Sequence, residues 1–219
     1  MERQARASGV VHALNLPLIY NSGVNLLQEK RTEGYLGQVR QLSISMTFPR
    51  WPRRWQVNLW IGTRVQGGPV RECCPHFFHF VLREYGPITR VRAQMHYPDL
   101  PQACEIGARG LLELADGLSV SVDILCNVAQ PESVEYIHYG TQGTLCLHNW
   151  DEPVGWREEC GSEQFSVVAL DEHTLLMDNL LNAIEGRPAN LAGFHEGLAV
   201  QEVLEAWDRS SRSGQWETI

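Results

Sequence analysis

From Val39 to Phe48 the chain alternates cleanly. Leu42, Ile44, Met46 and Phe48 fall on one side, and Gln41, Ser43, Ser45 and Thr47 on the other. Successive side chains of a strand point to opposite faces, so this period of two predicts a strand with one buried face. The pattern returns at 89–97, where Val91, Ala93, Met95 and Tyr97 share a side. Two strand-like runs, 108–114 and 118–125, bracket Ala115-Asp116-Gly117. Asp-Gly between such runs predicts a hairpin, because glycine readily adopts positive φ. A second hairpin is predicted where 134–139 and 144–148 flank Gly140-Thr141-Gln142-Gly143, and 165–170 reads as a further short strand.

Helical spacing appears in four places. Residues 22–33 fit a helix with Ser22 as N-cap. The block from Gly67 to Ile88 opens with two glycines and a proline and continues as a helix-length apolar run. Residues 173–184 form a helix ended by Gly186 and Pro188. Residues 194–211 form another, ended by Gly214, with Leu198, Val203, Leu204 and Trp207 on its apolar stripe. Between the first strand and the Gly-Gly block, RWPRRWQVNLWIG reads as a surface loop that its tryptophans keep ordered. Residues 1–10 are polar and read as a linker or frayed segment, leaving 11–219 as one domain. Strands joined by tight turns are antiparallel. The expected fold is therefore α+β: one large, mostly antiparallel sheet with helices packed on one face. Ser43, Ser45, Thr47, Ser119 and Ser121 fall on the other face. Small uncharged side chains suit a sheet that packs on a second copy of itself, so a homo-oligomer through the open face is expected.

Candidate chemistry concentrates in the Gly-Gly block. Glu72 and His76 lie four apart and share a helix face, which His79 and Arg83 extend. A carboxylate and an imidazole one turn apart, after a flexible Gly-Gly, make an acid/base or substrate-gripping pair, or simply a solvated polar stripe. Cys73, Cys74, His76 and His79 invite a zinc reading, but the usual Cys-x2–4-Cys spacing is missing, and no metal is expected. Trp51, Trp55 and Trp60 can stack on a sugar ring or cover a core edge. Arg71 can grip an anion or pair on the surface, and His148 and Asn149 can reach a pocket or serve a strand-end turn.

A formal charge of −8 argues against nucleic acid or an anionic membrane as partner. Lys30 is the single lysine, so any lysine chemistry depends on it or on another chain. The six cysteines read as reduced core thiols of a cytoplasmic protein, and no apolar run is long enough for a signal core or a membrane span.

Four stretches in order resemble the C-terminal domain of the Gfo/Idh/MocA oxidoreductases. GYLGQVRQLSISMTF is similar to the opening of the family's first strand, and GGPVRECCPHFFHFVLREYGPITRVRA to its Gly-rich block with an acid and a histidine. GTQGTLCLHN matches its second hairpin, and HEGLAVQEVLEAWDRSSRSGQW its terminal helix. The resemblance implies a domain that binds substrate and partner subunit, working with a Rossmann domain that holds NAD or NADP. It implies catalytic roles for Glu72, where many members have Asp, and for His76. His79 stands where the family often has Asp. The family's catalytic lysine, in a Glu-Lys-Pro segment, has no counterpart, and no G-x-G-x-x-G follows a strand. This chain alone is therefore expected not to bind NAD(P).

Three readings follow. The first is the substrate-binding and assembly half of an NAD(P)-dependent oxidoreductase acting on a sugar, cyclitol or related polyol. In it Glu72 and His76 are catalytic, and Arg71, His79, Trp55 and Trp60 contact the substrate. The second is a non-catalytic binding or regulatory module of the same fold. The third is an unrelated metal hydrolase using Glu72, His76 and His79.

Overall fold

The computed structural model describes residues 1–219. Strands β1 (Val39–Phe48), β2 (Ile88–His96), β3 (Gly107–Leu114), β4 (Ser119–Cys126) and β5 (Ser133–Gly140) carry the centre of one sheet. Strands β6 (Thr144–His148), β7 (Glu152–Arg157), β8 (Gly161–Gln164) and β9 (Glu217–Thr218) complete it. The nine strands run in the order β8-β7-β6-β5-β1-β4-β3-β2-β9. Every neighbouring pair is antiparallel except β1 and β4, which are parallel. That exception follows from connectivity: β1 and β4 are joined by a long crossover containing a helix, not by a turn. The fold is α+β, as the alternation and the hairpins predict.

Helices are α1 (Glu2–Ser8), α2 (Ser22–Thr32), α3 (Pro69–Tyr85), α4 (Glu172–Ile184) and α5 (Phe194–Ser213). The apolar face of β1 is fully covered: Leu42, Ile44, Met46 and Phe48 are all buried. They share one core with Phe77, Phe78, Phe80 and Val81 of α3 and Val203 and Trp207 of α5. Gly110 on β3 makes room for Trp207, because a Cβ there would lie 2.2 Å from the indole ring. On the other sheet face Ser43, Ser45, Thr47, Ser119 and Ser121 are half-buried by their own neighbours. Around them Leu111, Leu125, Tyr139 and Trp156 are 37–44% exposed, interspersed with the cross-strand pairs Arg90–Glu113 and Arg109–Asp123.

Several local expectations need correction. The N-cap of α2 is Asn21, whose Oδ1 accepts from the Val24 amide at 3.0 Å; Ser22 is already inside the helix. Residues Glu2–Ser8 are helical instead of frayed, with Ala5 buried. Residues 165–170 form no strand. The sheet edge is instead built by β7 and β8, and Phe165 ends the edge by packing edge-on against Tyr35. Pro153 and Gly155 occupy the buried positions of β7, where no bulky apolar residue marks them, and all four residues of β8 are exposed, so neither strand carries an alternating sequence signal. Five cysteines are buried and free, but Cys160 is exposed on the turn between β7 and β8.

Candidate functional site

Helix α3 carries the site, and its start is rigid. Gly68 adopts φ 103°, and a Cβ there would lie 2.2 Å from a carboxylate oxygen of Glu105. A Cβ on Gly67 would lie 2.1 Å from the Ile61 carbonyl oxygen. The double glycine thus serves close approach, not flexibility. Glu105, 3% exposed, accepts from the Val70 amide at 3.0 Å and so caps α3 from a distant segment. Its pKa is raised by burial, against the lowering effect of that amide bond.

Two turns into α3, His76 opens into a cleft of about 450 Å³ lined also by Pro17, Leu18, Asn21, Arg53, Trp55, Glu132, Trp150 and Glu172. Burial holds the His76 imidazole down to about 4, with His79 and Arg53 adding to the shift. The ring is therefore neutral at neutral pH, able to accept a proton at one nitrogen and donate at the other. Trp150 stands edge-on to it at 6.3 Å between ring centroids, while also packing on Phe77 at 5.2 Å. Both Asn149 and Trp150 have positive φ, 46° and 77°. A bulky residue rarely adopts that conformation, and here it turns the indole into the cleft.

Arg53 anchors the opposite wall. Its guanidinium pairs with Glu132 at 3.0 Å and lies 4.4–5.7 Å from the ring centroids of Phe48, Trp51, Trp55 and Trp150. The loop that bears it is held by Gln56. The Gln56 side chain accepts from the Arg53 amide at 2.9 Å and donates to Glu72 at 3.2 Å. Asn21 donates to Glu172 at 2.7 Å, tying the start of α2 to the start of α4. The result is a cleft with indole walls, a neutral imidazole and several hydrogen-bonding groups, which suits a ring bearing hydroxyls.

The expected site residues disperse. His76 and Trp55 meet in this cleft. Glu72 makes no hydrogen bond to His76; its carboxylate turns toward the loop and takes the Gln56 amide instead. Arg71 lies on the other flank of α3, 3.6 Å from Glu205, lining a second cleft with Arg64, Glu105 and Trp207. His79 is 2% exposed, and its Nδ1 has no partner; burial lowers its pKa, helped by Arg83 and opposed by Glu196. Trp60 sits on a 3₁₀ turn, 45% exposed. His148 pairs with Glu135 at 3.5 Å on the open sheet face. Lys30 pairs with Glu33 at 2.9 Å on α2.

Arg53, Trp150, Glu132, Asn21 and Glu172 escape a reading of the chain alone, because four separate loops and a helix start bring them together. Trp150 had one signal: it directly follows His148 and Asn149, just past the hairpin.

No three His, Cys, Asp or Glu side chains converge as a metal site. Cys73 is 1% exposed in the core, and burial pushes its thiol up to about 12. The starts of the longer helices already have partners: Asn21 caps α2, Glu105 caps α3, Asp171 caps α4, and at α5 Glu196 accepts from the Gly193 amide.

The comparisons agree with this fold. The model of the GFO/IDH/MocA C-terminal domain matches residues 24–146, and the chain belongs to that family. No curated protein matches it. Among solved structures, an NAD binding oxidoreductase from Klebsiella pneumoniae superposes with a TM-score of 0.81 at 18% identity, covering 100% of this chain and 68% of that one. Levoglucosan dehydrogenase in complex with NADH and levoglucosan gives 0.80 at 14% identity, covering 96% and 67%. The WlbA dehydrogenase from Bordetella pertussis, in complex with NADH and UDP-GlcNAcA, gives 0.77 at 18% identity, covering 98% and 66%. The chain thus spans about two thirds of the length of these proteins. No helix is long and apolar enough to cross a membrane.

Proposed function

We propose that this domain is the substrate-binding and assembly half of an NAD(P)-dependent oxidoreductase acting on a sugar, cyclitol or related polyol. One observation carries the reading: a neutral His76 faces a cleft walled by Trp55 and Trp150. Two structurally similar dehydrogenases hold a sugar derivative together with NADH. His76 is placed to hydrogen-bond a reacting hydroxyl and take or return its proton. Glu72 acts as a positioning residue, through Gln56, on the loop that carries Arg53 and Trp55. NAD or NADP supplies the hydride chemistry in the complete enzyme. The open sheet face, with its small residues and exposed Leu111, Leu125, Tyr139 and Trp156, is the surface for self-association into a homo-oligomer.

The alternative is a non-catalytic binding or regulatory module of the same fold. A pair of titrations on the isolated chain, read by tryptophan fluorescence, tests both readings. Cyclitols and neutral monosaccharides are expected to quench saturably, with binding weakened in Trp150→Ala, while NADH shows no saturable binding. Absence of polyol binding would overturn the site, and tight NADH binding would reveal a nucleotide site of unforeseen design. Turnover by the complete enzyme separates the oxidoreductase from the binding module.

A further inference from the structure

The ionic groups of the His76 cleft are unequally paired. The Arg53 guanidinium is charge-neutralised by Glu132. Its Nε donates to both oxygens of Glu132 at 3.1 and 3.2 Å, and Nη2 approaches the same carboxylate at 3.0 Å. The side chain is 11% exposed beneath its four aromatic rings. A guanidinium enclosed in this way has its Nε–Nη2 edge occupied and its charge already balanced, so it exerts little net pull on an incoming anion. Glu172 is different. One of its oxygens accepts from the Asn21 amide at 2.7 Å, and the carboxylate has no cation. His76 adds no charge at neutral pH. Among the groups that line the cleft, carboxylates therefore exceed cations by one.

We propose that this cleft selects uncharged polyhydroxy ligands and rejects anionic ones, uronates and sugar phosphates alike, with Glu172 as the specificity-determining residue. The inference rests on the polyol reading above and adds the charge class of the substrate. The chemistry is simple. A carboxylate accepts hydrogen bonds from sugar hydroxyls, and such charge-assisted bonds are stronger than neutral ones. The apolar face of the ring lies against indole. A ligand carboxylate in the same half-enclosed space meets an uncompensated like charge, and the one arginine there is already balanced by Glu132. At a separation of several ångströms and intermediate dielectric, that repulsion corresponds to a discrimination on the order of tenfold or more.

The test compares a methyl glucoside with glucuronate, titrated into the chain at neutral pH and followed by tryptophan fluorescence. The glucoside is expected to bind on the order of tenfold or more tightly at low salt, and the ratio should shrink at about 0.5 M salt as screening sets in. Glu172→Gln should narrow the ratio from both sides, weakening the glucoside by the loss of charge-assisted hydrogen bonds and strengthening the uronate by the loss of like charge. Glu132→Gln, which releases the Arg53 guanidinium, should turn the preference toward the uronate. Equal or tighter uronate binding by the unaltered chain overturns the inference. So does an unchanged ratio in Glu172→Gln, since the net charge of the whole chain would then explain the preference. If both sugars bind without discrimination, only this inference falls. If neither binds and Trp150→Ala changes nothing, the polyol reading falls with it.

Discussion

The two flanks of α3 carry similar side chains to opposite ends. On one flank the charged groups are answered from within: Arg71 by Glu205, Glu105 by the Val70 amide, Asp208 by Arg212. On the other, His76 looks into open space with no protein partner fixed to it, beneath an indole held by a strained backbone. Satisfied polar groups hold a fold together; a desolvated polar group left facing a cleft is available for chemistry. Both flanks are rich in charge, so charge does not separate them. What separates them is whether the partner is already present.

A pair of variants, one on each flank, separates the two most strongly. His76→Ala in the complete enzyme is expected to lower turnover by roughly 100- to 10,000-fold, the usual consequence of losing a positioned proton-transfer group. Its melting temperature should stay near that of the unaltered protein. Gly68→Ala should do the reverse. Its Cβ would sit 2.2 Å from the buried Glu105 carboxylate, at φ 103°. Left-handed strain and overpacking together should cost about 2 to 4 kcal/mol in stability. Steady-state kinetics and a thermal melt on both variants decide the matter. If His76→Ala only unfolds the protein, His76 belongs with the structural flank and the site is misplaced.

That contrast also explains what the chain alone makes legible. The β1 alternation and both hairpins are local signals, and each is observed with its register. His76 is equally readable, because helical spacing and an adjacent Gly-Gly are local. Arg53, Glu132 and Trp150 are not. They follow β1, β4 and β6 in the chain, and they meet because β1 sits between β4 and β5, with β6 beyond. That adjacency places the loops after β1, β4 and β6 along one edge of the sheet, and it is fixed by tertiary packing, not by local spacing. The Glu105 cap was hidden for the same reason. It lies 35 residues from the amide it serves. A short-range reading finds Gly67 and Gly68 but not the carboxylate that makes them necessary.

Acid should weaken the molecule through buried imidazoles, an effect intermediate in size. Burial holds His76 down to about 4 and His138 to about 3, and lowers His79 as well. In the unfolded chain these rings take up protons near pH 6.5. Between there and about pH 4 the unfolded state binds more protons than the folded one, so stability falls as the pH drops. Asp171 and Glu196, both lowered, act in the same direction further down, whereas Glu105, raised by burial, acts against it. Urea midpoints taken from pH 7 to pH 4 should decline steadily, and His138→Phe should flatten the slope. A midpoint that holds constant across this range would mean the imidazoles are solvated.

The smallest effect is expected at Arg71. Arg71 follows the Gly-Gly turn and neighbours Glu72, which makes it a natural candidate to grip a substrate. The structure puts it beside Glu205 of α5 at 3.6 Å, with side-chain exposures of 31% and 48%. Ion pairs this exposed contribute about 0 to 1 kcal/mol. Arg71→Ala should therefore shift stability by less than about 1 kcal/mol and leave polyol binding in the His76 cleft unchanged. A loss of polyol affinity of tenfold or more, at unchanged stability, would show that ligand reaches across α3 and that the two flanks form one site.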